Sequence, residues 1–239
     1  LLYPFIKELI TGLKAIPRCG VISINTNGTL LTKAIVDELF HAGLSRINLS
    51  LNTLDKDMNN ILSGAPYPTQ KVLDILEYCK EKNYPVLLAP ITVPTYNDDV
   101  KRDIIPLVAL SKTISSPFPT IGFQKYLHYK GGRNPVKKEQ SFDDYFAVLR
   151  GVEKELDVVL TPQQNTNPFA IYEDKTLQKP MKKNDVVKVR VHTKGRVPNE
   201  TICSAHERII TVRGLQKEQG RATIKIVRDK HNVYLGVPV

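Results

Sequence analysis

Small hydroxyl and amide side chains gather after apolar segments at four places in the first part of the chain. In chain order they are Asn25-Thr26-Asn27-Gly28-Thr29, Ser50 with Asn52, Asn97-Asp98-Asp99, and Gln124 with Lys125 and His128. Hydroxyls and amides both donate and accept hydrogen bonds, so they suit a polar ligand with ribose, amino and carboxylate groups. None of these places offers an acid–base pair, a nucleophile beside a base, or a set of metal ligands. The pattern therefore predicts ligand binding and leaves any catalytic residue unassigned.

Each of these groups also has a purely structural interpretation. Asn27-Gly28 is a common turn signal, and Asn97-Asp98-Asp99 serves equally well as the cap of the next helix. Ser50 and Asn52 alternate with leucines as in any strand, and Lys125 suits a solvated strand edge. A ligand site is favoured because all four groups follow strands, and parallel α/β folds bind ligands at the carboxyl ends of their strands.

The elements that position these groups alternate between strand and helix. Strands are expected at 21–25, 47–51, 86–91, 121–127 and 158–160, and helices at 5–13, 32–42, 55–62, 69–82, 98–111 and 142–156, with Thr32 and Ser141 as N-caps. This alternation predicts a parallel sheet with helices on its outer face. Five strands are too few for an eight-stranded barrel. We therefore expect an α/β fold over residues 1–160, either a partial parallel (β/α) barrel without its first units or an open sheet.

The last quarter of the chain has a different pattern. Residues 161–180 contain three prolines and are predicted to be a linker, with one short helix around 169–177. Short strands follow, expected at 186–191, 208–212, 222–227 and 233–237, and they are typical of a small β-barrel over residues 181–239. Residues 179–239 hold 14 Lys and Arg against 5 Asp and Glu, whereas residues 1–178 hold 20 against 19. Nearly all of the net charge of +10 is therefore in the predicted barrel.

This excess of cations predicts a polyanionic partner, because each phosphate that a protein neutralises releases counterions. The candidate RNA contacts are Lys183, Lys188, Arg190, Arg196, Arg208, Arg213 and Arg221, and Lys182, Lys194, Lys225 and Arg228 belong to the same basic group. Tyr234 is the only aromatic residue in this part of the chain. Stacking on single-stranded bases therefore has little support, and backbone recognition of structured RNA fits better. The alternative is surface charge that serves solubility alone, which predicts no RNA retention even at low salt.

The polar segments, taken as an ordered set, resemble the middle of radical S-adenosylmethionine (SAM) enzymes. The likeness rests on Asn25-Thr26-Asn27-Gly28, on Arg46-Ile47-Asn48-Leu49-Ser50-Leu51-Asn52, on the Asn97-Asp98-Asp99 turn, and on Leu1-Leu2-Tyr3-Pro4, which is similar to the segment directly after the family's Gly-Gly-Glu-Pro motif. It covers residues 1–160. The family uses a [4Fe–4S] cluster on a C-x3-C-x2-C loop, reduced by an electron donor, to cleave SAM into methionine and a 5′-deoxyadenosyl radical.

The resemblance implies cofactor-binding roles for Thr26, Asn27, Ser50, Asn52, Asn97 and Leu127. By position, Thr26 and Ser50 would contact the methionine or ribose part of SAM, with Asn52 beside them. Asn97 would lie near the ribose or organise its loop, and Leu127 would pack against adenine. Either Gln124 or Lys125 would face the substrate. The C-x3-C-x2-C and Gly-Gly-Glu-Pro motifs are absent from these residues. The cluster cysteines are therefore expected upstream of Leu1, with no metal site in this chain, which by itself is expected to be inactive.

The basic tail resembles a TRAM domain, an OB-like RNA-binding barrel of tRNA-modifying enzymes. The likeness rests on Lys183-Asn184-Asp185-Val186-Val187, Gly195-Arg196 and Gly220-Arg221. The two resemblances together imply a radical SAM enzyme that modifies tRNA or rRNA. Two alternatives stay open: a radical SAM enzyme that acts on a protein or a small metabolite, and a non-catalytic RNA-binding protein on a degenerate barrel.

Cysteine usage and hydropathy indicate the expected surroundings of the protein. Cys19, Cys79 and Cys203 are far apart and share no metal-ligand spacing. Such a set favours reduced thiols, and hence a cytoplasmic protein, over a disulfide framework. No apolar run reaches the length of a membrane span, so we expect no membrane partner.

Overall fold

The computed structural model describes residues 2–129, 132–161 and 177–239. The chain divides into two compact units, Leu1–Tyr172 and Glu173–Val239. The predicted short helix around 169–177 and most of the predicted linker at 161–180 lie outside the described residues.

The first unit is an α/β structure in which strands and helices alternate. Its strands are β1 (Ser23–Thr26), β2 (Arg46–Leu49), β3 (Val86–Leu88), β4 (Ile91–Thr92) and β5 (Gln124–Lys125). Its helices are α1 (Ile6–Lys14), α2 (Lys33–His41), α3 (Lys56–Ser63), α4 (Thr69–Glu81), α5 (Ile105–Lys112) and α6 (Phe142–Leu156), and one π-helical turn, Val100–Ile104, precedes α5. Thr32 caps α2 and Ser141 caps α6 through their side-chain oxygens, as predicted.

All strand pairs of this unit are parallel, as the sequence predicts. β1, β2 and β3 are neighbours in that order, and β4 pairs with β5. A bridge between Leu88 and Ile121 joins the two groups, with Gly122 N donating to Leu88 O at 2.8 Å. The carboxyl ends of the strands therefore lie along one edge, which is where the candidate ligand-binding residues are expected.

The two faces of the sheet differ in chemistry. The register pairs Ile24 with Ile47 on one face, and this face packs on the helices through residues such as Val36 and Leu76. Side chains alternate along a strand, so the residues between these isoleucines point to the other face. There Ser23 pairs with Arg46 and Asn25 pairs with Asn48. We call this second face, made of the Ser23, Asn25, Arg46, Asn48, Ser50 and Gln124 positions, the polar face.

Two element predictions in this unit are wrong or too long. Residues 158–160 are not a strand, because the Glu153 carboxylate accepts hydrogen bonds from Leu160 N (2.7 Å) and Thr161 N (2.6 Å) and holds the segment at the end of α6. The strand predicted at 121–127 is reduced to Gln124–Lys125 and the Ile121 bridge.

The second unit is a closed five-stranded barrel. Its strands are β6 (Val186–Lys194), β7 (Glu200–Ala205), β8 (Arg208–Arg213), β9 (Gly220–Arg228) and β10 (Tyr234–Pro238), in the order β10-β8-β7-β6-β9. Its interior holds alternate residues of these strands, among them Val189, Cys203, Ile210, Ile224 and Tyr234, all at most 2% exposed.

Strand β7 is the element that the sequence analysis did not predict. Thr201 and Cys203 point inward and Ile202 and Ser204 outward, an alternation that mixes polar and apolar residues on both faces. A turn at His206 and Glu207, both with positive φ, joins β7 to β8. Glycine or asparagine usually signals such a turn, so the hairpin left no recognisable mark in the sequence.

Candidate ligand-binding sites

The turn after β1 uses the predicted residues Thr26 and Asn27 to support its own backbone. Thr26 Oγ1 accepts a hydrogen bond from Gly28 N at 3.1 Å, and Asn27 Oδ1 accepts from Thr29 N at 3.2 Å. The buried Tyr67 hydroxyl donates to Asn27 O at 2.6 Å. Three hydrogen bonds thus stabilise the turn. The Asn27 side chain remains exposed to solvent at the carboxyl end of β1.

Gly28 is required in this turn for two reasons. Its φ is +79°, a left-handed conformation that favours glycine, and an added Cβ would lie 2.8 Å from Leu49 Cδ1. The turn therefore packs directly on β2, which places Asn27 beside the end of that strand.

Asn97 organises the loop after β4 instead of presenting a free amide. Its Nδ2 donates to Asn52 O at 2.7 Å and to Ile91 O at 2.9 Å, while its Oδ1 accepts from Val93 N at 2.7 Å. Asn97 is 1% exposed. Because all three hydrogen bonds join backbone groups of two neighbouring strand ends, the loop-organising role is the one that this geometry supports.

Asn52 is also engaged within the chain. Its Oδ1 accepts a hydrogen bond from Ile91 N at 2.9 Å, next to the bonds made by Asn97. The backbone hydrogen bonding is interrupted between β3 and β4. Side-chain hydrogen bonds of Asn52 and Asn97 take its place there. Of the pair, only the half-buried Asn52 has a side chain that reaches solvent.

Ser50 and Leu127 are both half-buried. Ser50 N donates to Thr26 O at 2.8 Å, so the two residues meet at the ends of β1 and β2. The half-buried Ser50 hydroxyl has no hydrogen bond to a residue that the structure describes. Leu127 is half-buried and follows β5, whose extension is held by Tyr126 N donating to Thr92 O at 3.2 Å.

The two candidate substrate-facing residues of β5 are distinguished by their contacts. Lys125 Nζ lies 2.9 Å from Glu139 Oε2 and 4.8 Å from the centroid of the Phe142 ring, and its side chain is 5% exposed. The backbone N–H of His128, and then Lys125, hold the pKa of Glu139 below its ordinary value. Lys125 is therefore committed to a local ion pair, whereas Gln124 is exposed on the polar face.

Asn25 and Asn48 of the polar face were quoted in the sequence motifs without a role, and the structure brings them together. Asn48 Nδ2 donates to Asn25 Oδ1 at 2.7 Å and lies 3.4 Å from Ser23 Oγ. Asn48 is 9% exposed, and its Oδ1 has no hydrogen-bond partner among the described residues. The spacing of Asn48 two residues before Ser50 is the signal that could have identified it, because period-two spacing puts alternate residues of a strand on one face.

The predicted RNA contacts of the barrel divide into two groups. Lys188, Arg190 and Arg221 lie on the outer surface of β6 and β9 together with Lys225. In this antiparallel pair Arg190 stands directly opposite Arg221, and Lys188 and Lys225 are near neighbours on the same surface. We call these four exposed residues the basic face.

Within the part of the chain that the structure describes, the basic face has no acidic partner. None of its four side chains forms a salt bridge with a residue within the described ranges. Like charges directly opposite each other on neighbouring strands destabilise a sheet. The repulsion between Arg190 and Arg221 therefore lowers the stability of the barrel. An anion bound over the two side chains would remove this repulsion.

The remaining predicted contacts are elsewhere or already engaged. Arg213 Nε lies 3.2 Å from Glu200 Oε1 across the β7–β8 pair, and Arg208 donates to the carbonyls of Glu207 and Gln178 at 3.1 and 3.2 Å. Lys183 and Arg196 are exposed and lie outside the β6–β9 surface, before β6 and after it.

The described residues do not form a metal site or a membrane span. No three His, Cys, Asp or Glu side chains among them could hold a metal ion. The three cysteines are free, and burial raises the pKa of the Cys79 thiol to about 12, so that it stays protonated at neutral pH. In this part of the chain, no helix is both long and apolar enough to cross a membrane.

Comparison with known proteins gives one family match. Residues 1–105 match the Radical SAM superfamily. An uncharacterized protein of Methanocaldococcus jannaschii is 32% identical over 98% of this chain and 58% of its own length, so the similarity includes both units. A GTP 3′,8-cyclase of Trichodesmium erythraeum is 34% identical over 46% of this chain and 34% of its own length.

A solved structure shows a weaker likeness. It is the crystal structure of a domain of pyruvate-formate lyase-activating enzyme from Bacteroides vulgatus, with 16% identity and a TM-score of 0.47 over 65% of this chain and 89% of that one. The chain spans 58% or less of the length of the two curated relatives named above.

Proposed function

We propose that this chain is part of a radical SAM enzyme that modifies a structured RNA such as tRNA or rRNA. The match of residues 1–105 to the Radical SAM superfamily supports the first part of this proposal. The observation that carries the RNA assignment is the basic face of Lys188, Arg190, Arg221 and Lys225. It places two arginines directly opposite each other without an acidic partner within the described residues. A polyphosphate ligand would relieve that repulsion, and the repeated phosphates of an RNA backbone suit a row of cations along two strands.

The residues at the strand ends fit the cofactor that the family uses. Thr26, Asn27 and Ser50 meet at one point, and the Ser50 hydroxyl and the Asn27 amide are accessible there for the polar groups of SAM. Asn52 and Asn97 hold the adjoining loop, and Leu127 offers apolar contact for adenine. When bound, SAM supplies the radical that removes a hydrogen atom from the substrate.

We assign the [4Fe–4S] cluster to residues of the parent protein outside this chain. The described residues hold no group of metal ligands, and Cys79 and Cys203 are buried in different units. The electron donor would act on that part of the protein. The role of this chain is to bind SAM from one side and to bind the RNA.

RNA recognition through the basic face would be mostly backbone recognition. The single aromatic residue of the barrel, Tyr234, is 1% exposed, so it cannot stack on a base. Exposed Lys and Arg side chains on a regular strand pair instead match the repeated charges of a phosphate backbone. The similarity of the TRAM pattern to RNA-binding barrels supports the same proposal.

The direct test is RNA binding by the 239-residue chain as a function of salt. Fluorescence anisotropy with folded tRNA and with single-stranded poly(U) between 50 and 400 mM KCl would give the affinity and its salt slope. We expect tighter binding to tRNA, and a log–log slope of about −3 to −4 if the four basic-face cations each contact a phosphate. No retention of tRNA at 50 mM KCl would contradict the proposal and leave the charge as a solubility feature.

A second test concerns the radical SAM assignment. Anaerobic reconstitution of this chain with iron and sulfide should yield no stoichiometric cluster by iron analysis. The parent protein should bind a cluster and cleave SAM, and Ser50→Ala should weaken its SAM binding while Ser63→Ala, on the exposed end of α3, should not. A cluster bound by the 239-residue chain itself would overturn the assignment of its ligands.

The GTP 3′,8-cyclase relatives favour a second candidate, a radical SAM enzyme that acts on a free nucleotide. A mononucleotide is a much smaller ligand, and in this candidate it would bind in the α/β unit and not on the basic face. Replacing Arg190 and Arg221 would abolish turnover of an RNA substrate but leave turnover of a mononucleotide bound in the α/β unit nearly unchanged. Comparing the two substrates with the parent protein would therefore decide between these candidates.

A further inference from the structure

The Asn25–Asn48 pair on the polar face has a hydrogen-bonding capacity that the chain itself does not use. Asn48 Nδ2 donates to Asn25 Oδ1 at 2.7 Å, which leaves the Asn25 NH2 group as a donor and Asn48 Oδ1 as an acceptor. Asn25 is exposed, and its NH2 group makes no hydrogen bond to a described residue. An exposed donor and a buried acceptor therefore remain on two adjoining amides.

The acceptor of this pair, Asn48 Oδ1, is buried without a hydrogen bond to a described residue. Asn48 is 9% exposed and its Oδ1 has no partner among the described residues. A buried polar atom without a hydrogen bond costs free energy, and such atoms are rare in folded proteins. A packed hydrophobic side chain would avoid the cost at this position, as Ile47 and Leu49 do on the other face of the same strand.

The surroundings of the pair select a neutral ligand group. Its neighbours are the hydroxyls of Ser23 and Ser50 and the side chain of Leu87, which pairs with Asn48 across β2 and β3. The only charge among the polar-face residues is Arg46, which is 1% exposed and lies 5.3 Å from the centroid of the Phe118 ring. A phosphate or carboxylate would require an accessible cation, whereas amides recognise a group that offers both a donor and an acceptor.

We propose that the Asn25–Asn48 pair binds the base of the nucleotide on which the enzyme acts. This inference rests on the proposed function, because an RNA substrate makes a nucleobase the neutral group with adjacent donor and acceptor atoms. Enzymes that modify a base read its hydrogen-bonding edge after removing it from the stack, and asparagine amides make paired hydrogen bonds to base edges. Asn25 directly precedes Thr26 on β1, and Asn48 is on β2 just before Ser50, so the base would lie close to the bound SAM.

The test uses the 15N-labelled 239-residue chain with mononucleotides as probes. Side-chain amide resonances of Asn25 and Asn48 are followed by NMR during titration with AMP, GMP, CMP and UMP, and with ribose 5-phosphate as the probe without a base. We expect the Asn25 and Asn48 resonances to shift with at least one pyrimidine or guanine nucleotide and not with ribose 5-phosphate. Asn25→Ala and Asn48→Ala should each weaken that binding by about fivefold or more.

The controls separate base recognition from a structural role of the pair. Asn25 is exposed, so Asn25→Ala keeps the test valid if Asn48→Ala fails to fold. Gln70→Ala removes an exposed amide from the outer surface of α4 and should leave nucleotide binding unchanged. Shifts of equal size with ribose 5-phosphate, shifts with AMP alone, which an adenine site for SAM would give, or unchanged affinity in Asn25→Ala would each overturn the inference.

Failure of this inference can be distinguished from failure of the proposed function. If tRNA is retained through the basic face while no mononucleotide shifts the amide resonances, the base-binding role of the pair is wrong and the RNA assignment stands. If the amides shift with mononucleotides but the barrel retains no RNA, base recognition stands and the substrate is a free nucleotide.

Discussion

The polar residues of the two units differ in whether groups of the chain itself satisfy their hydrogen-bonding and charged atoms. In the α/β unit, Asn52 and Asn97 use their hydrogen-bonding groups on backbone atoms of the loops that they shape. On the barrel, Arg190 and Arg221 face each other on neighbouring strands with no acidic partner in the described residues. Polar residues at these strand ends therefore mainly hold the loops in place, whereas the cations of the basic face are exposed to solvent. This difference predicts which substitutions affect stability and which affect binding.

Removing the basic face should have the largest effect, and it should fall on binding. Replacing Lys188, Arg190, Arg221 and Lys225 with alanine should weaken tRNA binding roughly a thousandfold at about 0.15 M salt and reduce the salt slope by about 3.6. Fluorescence anisotropy over a range of KCl concentrations measures both quantities.

The matched control carries the same change of charge. Replacing Lys183, Arg196, Arg208 and Arg213 with alanine removes four cations that lie off the basic face, and it should weaken binding no more than about tenfold. Equal losses in the two variants would show that net charge, and not the arrangement on β6 and β9, controls RNA binding.

Removing the Asn97 amide should have the next largest effect, and it should fall on stability. Asn97→Ala leaves Val93 N and the carbonyls of Asn52 and Ile91 without partners, which should lower the free energy of unfolding of the α/β unit by about 3 kcal/mol. Chemical denaturation and loss of hydrogen-exchange protection at Val93 would measure it. Asn27→Ala, in an exposed turn, should cost less than about 1 kcal/mol, and an equal cost would contradict the division between loop-building and accessible residues.

Tyr67→Phe should have a smaller effect that depends on pH. The change removes the 2.6 Å hydrogen bond to Asn27 O, which should cost about 1 kcal/mol. Burial raises the pKa of Tyr67 from 10.0 to about 12. A raised pKa means that the folded state holds the proton more tightly, so this contribution to stability is complete below pH 10 and is lost as the pH rises from 10 to 12.

The measurement for Tyr67 is the unfolding midpoint as a function of pH. The decline between pH 10 and 12 should be shallower in Tyr67→Phe than in the unchanged protein. A decline of equal steepness in both proteins would show that other groups control alkaline unfolding.

The smallest effect should show a gain of stability at the expense of binding. Arg190→Thr removes the repulsion with Arg221 and places a strand-favouring residue on β6, so the melting midpoint of the barrel should rise by roughly 2 °C while tRNA binding weakens. The opposite sign is expected for Arg213→Thr, which breaks the ion pair with Glu200. A lower midpoint for Arg190→Thr would mean that the two arginines are not in conflict in the free barrel.

The periodicity of the sequence was sufficient for most elements and insufficient for a few. The parallel α/β unit, the capped helices α2 and α6 and the basic β-structure follow from local patterns, because apolar spacing and capping residues act over a few neighbours. Strand β7 could not be predicted in this way, because it is defined by its pairing with β6 and β8. The irregular conformation of residues 158–160 could not be predicted either, because it depends on a carboxylate seven residues away in α6. Such partners are absent from the local pattern.

The sequence by itself determined the chemistry available in each part of the protein: hydroxyls and amides after the strands of residues 1–128, and a charge excess confined to residues 179–239. Only the tertiary structure decided how that chemistry is used. Strand register placed Asn25 beside Asn48 and Arg190 opposite Arg221. The loop after β4 uses the side-chain oxygen of Asn52 and both polar atoms of the Asn97 side chain. The reason is physical, since a side chain is available to a ligand only if no group of its own chain satisfies it, and those groups come from strands distant in sequence.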